Sequence, residues 1–232
     1  MKQKRKTIGI LGGMGPGASA YMYKLLIDFS IKYFSARNND DFPEIVLYSI
    51  PVPDFISNKK NQEVALEMLK DSVIKLNRIN VSFLTIACNT AHVLLPVLEK
   101  ISKASFISMI NEVVKKVQQS RIKKVGILGT PSTINSKLYQ NALDKYGIES
   151  VLPNNKQQLI LDKIIRSILA GRINEKDKIQ LVDIADSLKL LGAEGIVLGC
   201  TELPLIFPLD YSIPIYNSVA ILSMALLRKY YE

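Results

Sequence analysis

The 232-residue sequence predicts an α/β protein built from two similar halves, and three observations support this fold class. Short apolar runs alternate with amphipathic stretches of about 10 to 15 residues, which is typical of parallel sheets connected by helices. A glycine-rich segment, residues 7–19, is echoed by residues 124–133. A segment around the first cysteine, residues 84–92, is echoed around the second by residues 196–204. Ordered repetition of this kind indicates a duplicated unit.

The first half shows three predicted strands and three predicted helices. Its first apolar run is ended by Gly12 and Gly13, which is typical of a buried strand followed by a turn. Apolar residues then recur at helical spacing, with Ser19 as a candidate cap. The predicted strands are residues 8–11, 44–50 and 83–87, and the predicted helices are residues 18–33, 62–77 and 91–102.

The second half repeats this alternation. The predicted strands are residues 124–128 and 195–198, and the predicted helices are residues 135–146, 159–170 and 176–191. Near-continuous apolar strands such as 196–198 are typical of sheets covered by helices on both faces. The boundary between the halves is placed near residues 106–108 from the repeat itself. The apolar run 218–227 predicts a docked C-terminal helix and not a membrane anchor.

Composition and charge narrow the class of protein. The chain is 48% hydrophobic, which is ordinary for a globular protein, and no apolar run reaches the roughly 18 to 20 residues that cross a bilayer. The net charge is +9, but the basic residues are dispersed and not interleaved with aromatic ones, so nucleic-acid binding is not predicted. We expect a cytoplasmic protein with reduced cysteines. One histidine and two distant cysteines predict no metal site.

The two cysteines occupy matching places. Cys88 and Cys200 each follow an apolar strand and precede residues that commonly cap helices. Both sulfurs are therefore expected at the carboxyl ends of strands, where parallel sheets bind ligands, and near the positive end of a helix dipole, which favours thiolate. The neighbouring Asn89, Thr90 and Thr201 are candidate hydrogen-bond donors to a substrate carboxylate.

A single cysteine of this kind is usually a small buried apolar residue. A matched pair instead favours a reaction that needs like groups on opposite faces of one atom. Removal of an α-proton from one face and return of a proton to the other is such a reaction, with one thiolate as base and one thiol as acid. The pair is expected to titrate as a coupled unit.

Three motifs resemble those of the aspartate/glutamate racemase family. They are Gly12-Gly-Met-Gly-Pro16, Cys88-Asn-Thr-Ala-His92 and Gly199-Cys-Thr-Glu202. The resemblance covers nearly the whole chain. It implies two pseudo-symmetric α/β domains, an active site in the cleft between them, Cys88 and Cys200 as the acid/base pair, no pyridoxal phosphate or other cofactor, and a homodimer whose small-molecule substrate is an amino acid. It also implies that the last segment returns to the first domain, giving domains of residues 1–107 plus 213–232 and residues 108–212.

The catalytic and substrate-binding predictions follow from these motifs. The catalytic pair is Cys88 and Cys200, and the substrate-binding candidates are Met14, Gly15, Asn89, Thr90, Thr130, Thr201 and Glu202. Glu202 either orients the substrate ammonium or compensates a helix start. His92 is either a third acid/base group or a residue that stabilises its own turn. Asp54 is interpreted as a turn residue after Pro51 and Pro53.

The residues that bind the substrate side chain depart from the family pattern. Family members that act on aspartate carry basic residues at two positions, which here are Phe55 and Leu169. Arg166 lies on the same helical face as Leu169 and is a candidate substitute. Apolar residues at these positions favour an uncharged or larger side chain, since an unpaired carboxylate buried beside them is costly.

Three alternatives stay open at this stage. The loop from Gly13 to Ala18 also fits a dinucleotide-binding fingerprint, but the second predicted strand lacks the acidic residue that binds the ribose. An isomerase or decarboxylase of small dicarboxylic acids on the same scaffold is the main rival activity. A non-catalytic ligand-binding or redox-sensing protein with a Cys88–Cys200 disulfide is the third.

Overall fold

The computed structural model describes residues 6–54 and 59–232, and for residues 59 and 60 it describes only the helical backbone. The chain forms two compact units, Met1–Met109 with Leu222–Glu232, and Ile110–Ile221. Within the described residues each unit contains one parallel sheet of four strands with helices packed against it. The predicted fold class, two similar α/β units, is confirmed.

In the first unit the sheet order is β2-β1-β3-β4. Its strands are β1 (Thr7–Gly12), β2 (Glu44–Ser49), β3 (Phe83–Ile86) and β4 (Ser105–Phe106). Its helical segments are α1 (Pro16–Phe34), α2 (Lys59–Arg78), α3 (Leu95–Ile101) and the 3₁₀ segments Asn39–Asp41 and Thr90–Leu94. The central strand β1 is buried throughout. It lies so close to β3 that a Cβ on Gly9 would come within 2.5 Å of a Leu84 methyl group.

In the second unit the order β6-β5-β7-β8 repeats that arrangement. Its strands are β5 (Lys124–Gly129), β6 (Glu149–Val151), β7 (Ile196–Gly199) and β8 (Ile215–Asn217). The remaining helical segments are α4 (Met109–Gln119), α5 (Pro131–Asn135), α6 (Leu138–Asp144), α7 (Asn155–Leu169), α8 (Glu175–Leu190), the 3₁₀ segment Leu203–Leu205 and α9 (Ser218–Tyr231). The central strands β5 and β7 are buried, as their apolar sequences predicted.

Two predicted helices differ from the structure. The helix expected over residues 135–146 is the shorter α6, which begins only at Leu138. It is preceded by the unpredicted α5, and between them the Ser136 hydroxyl donates to the carbonyl of Ser132 and Lys137 adopts a left-handed conformation (φ 54°). The helix expected over residues 91–102 begins as a 3₁₀ segment, and its α-helical part starts only at Leu95, with Pro96 in its first turn.

The sequence pattern did not predict the short strands β4, β6 and β8 or the helix α4. These strands have only two or three residues each, too few to show a period. Strand β8 pairs with β7, so residues 213–221 belong to the second unit, although residues 213–232 were expected with the first.

The end of α9 packs as the predicted docked helix. Leu222, Leu226 and Leu227 are fully buried. The Tyr231 ring stacks on Phe34 with 4.5 Å between centroids, and this side chain also donates a 2.8 Å hydrogen bond to the carbonyl of Asp41. Within the described residues we find no helix whose length and apolar content would let it cross a membrane.

Candidate active site

The first half of the candidate site lies at the carboxyl edge of the first sheet. Strands β1 and β3 are paired with Leu11 opposite Ile86, and the backbone N–H of Ala87 donates to the carbonyl of Leu11 (2.9 Å). The glycine loop that follows β1 and the cysteine segment that follows β3 therefore leave the sheet side by side. The predicted candidates Met14, Gly15 and Cys88 are placed at this edge, where parallel sheets bind ligands.

Ser19 holds the glycine loop against α1. Its hydroxyl accepts the backbone N–H of Gly13 (2.9 Å) and donates to the carbonyl of Gly15 (3.1 Å). Gly13 has a φ of 91° and packs so tightly that a Cβ would lie 2.4 Å from the backbone nitrogen of Ile50. Only glycine fits this position without strain.

The cysteine segment of this unit is buried. Cys88 is 8% exposed, and Asn89 and Thr90 are 1% and 4% exposed. Asn89 precedes the 3₁₀ segment but makes no side-chain capping bond to it. The Asn89 side chain therefore does not cap this segment.

His92 is a fully hydrogen-bonded buried side chain. Its Nε2 accepts the backbone N–H of Met109 (3.0 Å), and its Nδ1 lies 2.8 Å from the carbonyl oxygen of Cys88. Because Nε2 accepts, the ring hydrogen is on Nδ1 and is donated to Cys88. Burial lowers the pKa of His92 to about 4, which the bond to Cys88 only partly offsets, so the ring is neutral near pH 7. Both ring nitrogens are occupied by backbone groups, which supports the stabilising interpretation over an acid/base role.

The second half of the candidate site lies at the carboxyl edge of the second sheet. Gly129 and Gly199, the last residues of β5 and β7, are paired, and a Cβ on Gly129 would lie 3.3 Å from the Gly199 carbonyl. Thr130 and Cys200 follow these glycines directly. The Thr130 hydroxyl accepts the backbone N–H of Thr133 (3.2 Å) and so caps α5.

Cys200 contacts a buried carboxylate. Its Sγ donates to Oε2 of Glu202 at 3.0 Å, and the Thr201 hydroxyl donates to the same oxygen at 3.0 Å. Glu202 is 4% exposed. The segment that follows is a single 3₁₀ turn, Leu203–Leu205, so the helix dipole expected at Cys200 is not formed by an α-helix there. The charged group beside this sulfur is instead Glu202.

Sequence reasoning missed Tyr139, which lies in the core behind β7. Its ring is fully buried and packs against Gly199, where an added Cβ would lie 3.1 Å from a ring carbon. Burial raises the pKa of its hydroxyl, and the nearby Cys200 adds to the rise, while a hydrogen bond with Ser218 opposes it. The Ser218 hydroxyl also donates to the carbonyl of Leu198 (2.8 Å). Tyr139 follows no motif, so only the packing of α6 against the sheet identifies it.

The side-chain-binding predictions have mixed outcomes. Phe55 lies outside the described residues. Asp54 is exposed, and its carbonyl accepts a hydrogen bond from Asn61 near the start of α2. Leu169 is 42% exposed at the end of α7. Arg166 is paired with Asp162 on the same helix, with Nε 3.0 Å from Oδ2.

Comparison with known proteins identifies relatives over nearly the whole chain. The sequence pattern described as Asp/Glu/hydantoin racemase matches residues 11–226. The broad specificity amino-acid racemase RacX of Bacillus subtilis (strain 168) is 27% identical over 224 residues, which cover 96% of this chain and 97% of that protein.

Two solved structures share the fold. The aspartate racemase of Picrophilus torridus has a TM-score of 0.84 and 28% identity, and the match covers 97% of this chain and 94% of that one. An aspartate racemase homologue from Pyrococcus horikoshii OT3 has a TM-score of 0.82 and 30% identity, covering 98% of this chain and all of that one. These matches confirm the resemblance seen in the three motifs. The chain belongs to the Asp/Glu/hydantoin racemase family, and racemases are isomerases.

Proposed function

We propose that this protein is a cofactor-independent amino-acid racemase in which Cys88 and Cys200 transfer the α-proton. The observation that carries the proposal is the matched position of the two thiols. Cys88 follows β3, which pairs with β1, and Cys200 follows β7, which pairs with β5. The partner strands β1 and β5 each end in a glycine. A duplicated unit with one thiol per copy suits a reaction that needs two like groups.

In this mechanism a thiolate removes the α-proton from one face of the substrate, and the opposite thiol delivers its own proton to the other face. One S–H bond forms and one breaks, so the enzyme ends with the two protonation states exchanged. The Cys200 thiol donates its hydrogen to Glu202 in the structure, and in each direction one of the two cysteines acts as the acid and the other as the base. The reverse direction starts from the exchanged form.

The substrate carboxylate requires hydrogen-bond donors near both thiols. Asn89 and Thr90 beside Cys88, and the backbone near Thr130 and Thr201 beside Cys200, are buried and polar. Donors in a buried site stabilise the negative charge that spreads onto the carboxylate when the α-proton leaves. The Met14–Gly15 backbone in the glycine loop is the further candidate contact at the first sheet.

The test is α-hydrogen exchange in D₂O, followed by proton NMR for single enantiomers of a panel of amino acids. We expect deuterium to appear first in the newly formed enantiomer, since the group that returns the hydrogen has already exchanged with solvent. Cys88→Ser and Cys200→Ser should each lose racemisation by more than about a hundredfold, since each removes one acid/base group. Circular dichroism checks that both variants fold.

Racemisation that survives either substitution at the native rate contradicts the two-cysteine mechanism. The protein has the rival activity if no amino acid exchanges its α-hydrogen and the protein instead decarboxylates or cis–trans isomerises a small dicarboxylic acid. A reversible Cys88–Cys200 disulfide without turnover assigns a redox sensor.

We also propose that the enzyme acts as a cytoplasmic homodimer, as the family resemblance implies. Analytical ultracentrifugation should then give a molecular mass of about twice that of the 25.9 kDa chain. A monomeric species with full activity contradicts this arrangement.

A further inference from the structure

Strand β7, which leads into Cys200, packs on both of its faces. Leu198 and Cys200 belong to the buried cluster that α7 and α8 cover, whereas Val197 belongs to a second buried cluster. Side chains alternate between the two faces of a strand, so Val197 and Gly199 share the face opposite Leu198. Because Gly199 has no side chain, the position directly before Cys200 leaves room for a group that packs on the backbone itself.

Tyr139 of α6 occupies that room. Its side chain is fully buried and belongs to the same cluster as Val197. A Cβ on Gly199 would lie 3.1 Å from a carbon of the Tyr139 ring, which is closer than ordinary van der Waals contact. The ring therefore supports the end of β7 from the face opposite Leu198.

The hydroxyl of Ser218 adds a hydrogen bond at the same strand end. The pairing of β7 with β8 ends at Leu198 opposite Asn217, and the next residue, Ser218, begins α9. Ser218 is fully buried, and its hydroxyl donates to the carbonyl of Leu198 at 2.8 Å. This bond continues the attachment of β7 beyond the last backbone pair, close to Cys200.

The direction of the hydrogen bond between Tyr139 and Ser218 follows from their hydrogens. A serine hydroxyl has one hydrogen, and Ser218 already donates its hydrogen to Leu198. Tyr139 is therefore the donor and Ser218 the acceptor in the bond between the two hydroxyls. A continuous chain of hydrogen bonds thus runs from the phenol through Ser218 to the backbone of β7.

The phenol of Tyr139 stays neutral beside Cys200. Burial raises the pKa of Tyr139, and the nearby Cys200 raises it further. The phenol therefore keeps the hydrogen that it donates to Ser218. It also adds no negative charge next to a thiolate on Cys200.

We propose that Tyr139 is a positioning residue for Cys200, acting through Ser218 and the carboxyl end of β7. The inference rests on the proposed racemase function, in which the sulfur must meet the substrate α-carbon in one geometry. A displacement of about 1 Å at a reacting group can reduce a rate by about a hundredfold. The buried His92 ring, which bonds the carbonyl of Cys88, holds the other cysteine segment in a comparable way.

Tyr139→Phe removes the phenol oxygen and keeps the ring against Gly199. For the amino acid that exchanges fastest in D₂O, we expect kcat to fall by about tenfold and KM to change by less than about twofold, since the chain orients a reacting group and does not bind substrate. Ser218→Ala breaks the same chain and should also lower kcat. The double variant should lose less than the product of the two single losses, because residues of one hydrogen-bond network are not additive.

Alkylation by iodoacetamide separates the positioning of Cys200 from a general loss of stability. Cys200 and Cys88 are 5% and 8% exposed, so each reacts when its segment opens locally. In a Cys88→Ser background, Tyr139→Phe should speed the alkylation of Cys200 by about threefold or more, since a buried hydrogen bond is lost. In a Cys200→Ser background, the same change should leave the alkylation of Cys88 at its native rate.

Tyr146→Phe is the matched control, because Tyr146 lies in the turn after α6 and its side chain is exposed. It should leave kcat and both alkylation rates unchanged. Thermal unfolding shows whether each variant keeps the native fold, and Ser218→Ala carries the same test if Tyr139→Phe does not fold.

The outcomes separate this inference from the proposed function. A native kcat in Tyr139→Phe, or equally faster alkylation of both cysteines, overturns the positioning role and leaves the racemase intact. If no amino acid exchanges its α-hydrogen, the racemase function is overturned and alkylation alone decides the role of Tyr139. An unchanged rate at Cys200 then overturns the positioning role as well, and a selective increase at Cys200 supports it.

Discussion

The buried imidazole of His92 accepts the first backbone N–H of helix α4, that of Met109, at 3.0 Å. The early N–H groups of a helix have no partner within the helix, so His92 supplies an acceptor that α4 lacks. Its other nitrogen donates to the carbonyl of Cys88 at 2.8 Å. One neutral ring therefore connects the backbone of Cys88, one of the two proposed acid/base groups, to the start of the helix that leads out of the first unit.

This arrangement predicts a pH dependence of stability. Burial lowers the pKa of His92 to about 4 in the folded protein, whereas an unfolded histidine titrates near 6.5. The unfolded state thus binds the proton first as the pH falls. The contribution of neutral His92 to the free energy of unfolding is fully present above about pH 6.5. It decreases by about 3 kcal/mol as the pH falls to about 4.

Urea unfolding of the native protein and His92→Gln between pH 7 and pH 4.5 measures this effect. His92 is the only histidine in the sequence, so the difference between the two proteins isolates its titration from that of the carboxylates. At pH 7 the variant should be less stable by roughly 1 to 3 kcal/mol, since a buried backbone group loses its partner. The difference in unfolding free energy between the native protein and the variant should decrease as the pH falls. A difference that does not change with pH contradicts the lowered pKa of His92.

Glu202 is expected to control the proton on Cys200. Glu202→Gln keeps the shape but removes the charge that accepts the thiol hydrogen at 3.0 Å. We expect kcat to fall by about a hundredfold, within the range of acid/base contributions. Alkylation of Cys200 by iodoacetamide, measured in a Cys88→Ser background, should become faster because the thiolate no longer forms beside a carboxylate.

The exposed Glu99 of α3 offers a matched control for this change. Glu99→Gln should leave both racemisation and alkylation at native rates. If Glu202→Gln alters KM alone, the carboxylate contacts substrate and does not act through Cys200.

Gly13 is expected to tolerate no side chain. Gly13→Ala places a methyl group 2.4 Å from the Ile50 backbone at a φ of 91°. Backbone strain and this clash together should cost more than about 3 kcal/mol, measured by urea unfolding. Gly17→Ala is the control, because no atom lies within 4 Å of its added Cβ. Equal stability of the two variants would show that the glycine loop is less constrained than its geometry indicates.

The central strands were predictable from their continuous apolar runs, and helices α1, α2, α7 and α8 from apolar residues at helical spacing over 15 residues or more. Strand β5 and helix α8 have bounds within a residue of those predicted. The edge strands β4, β6 and β8 were not predicted, because two or three residues show no pattern. Such short strands form only by pairing with a neighbouring strand. Helix α5 was not predicted either, because its five residues are too few to show helical spacing.

Some features of the candidate site could also be predicted from the sequence, and others could not. The repeat and the motifs by themselves determined the family, the parallel fold and the positions of Cys88 and Cys200 after their strands, because these properties depend on residues that are near in sequence. Only the tertiary structure decided that His92 is bound by backbone groups, that Glu202 accepts from Cys200, and that Tyr139 is buried behind β7. Each of these depends on which side chains packing excludes from water, and burial is a property of the folded chain, which no local pattern encodes.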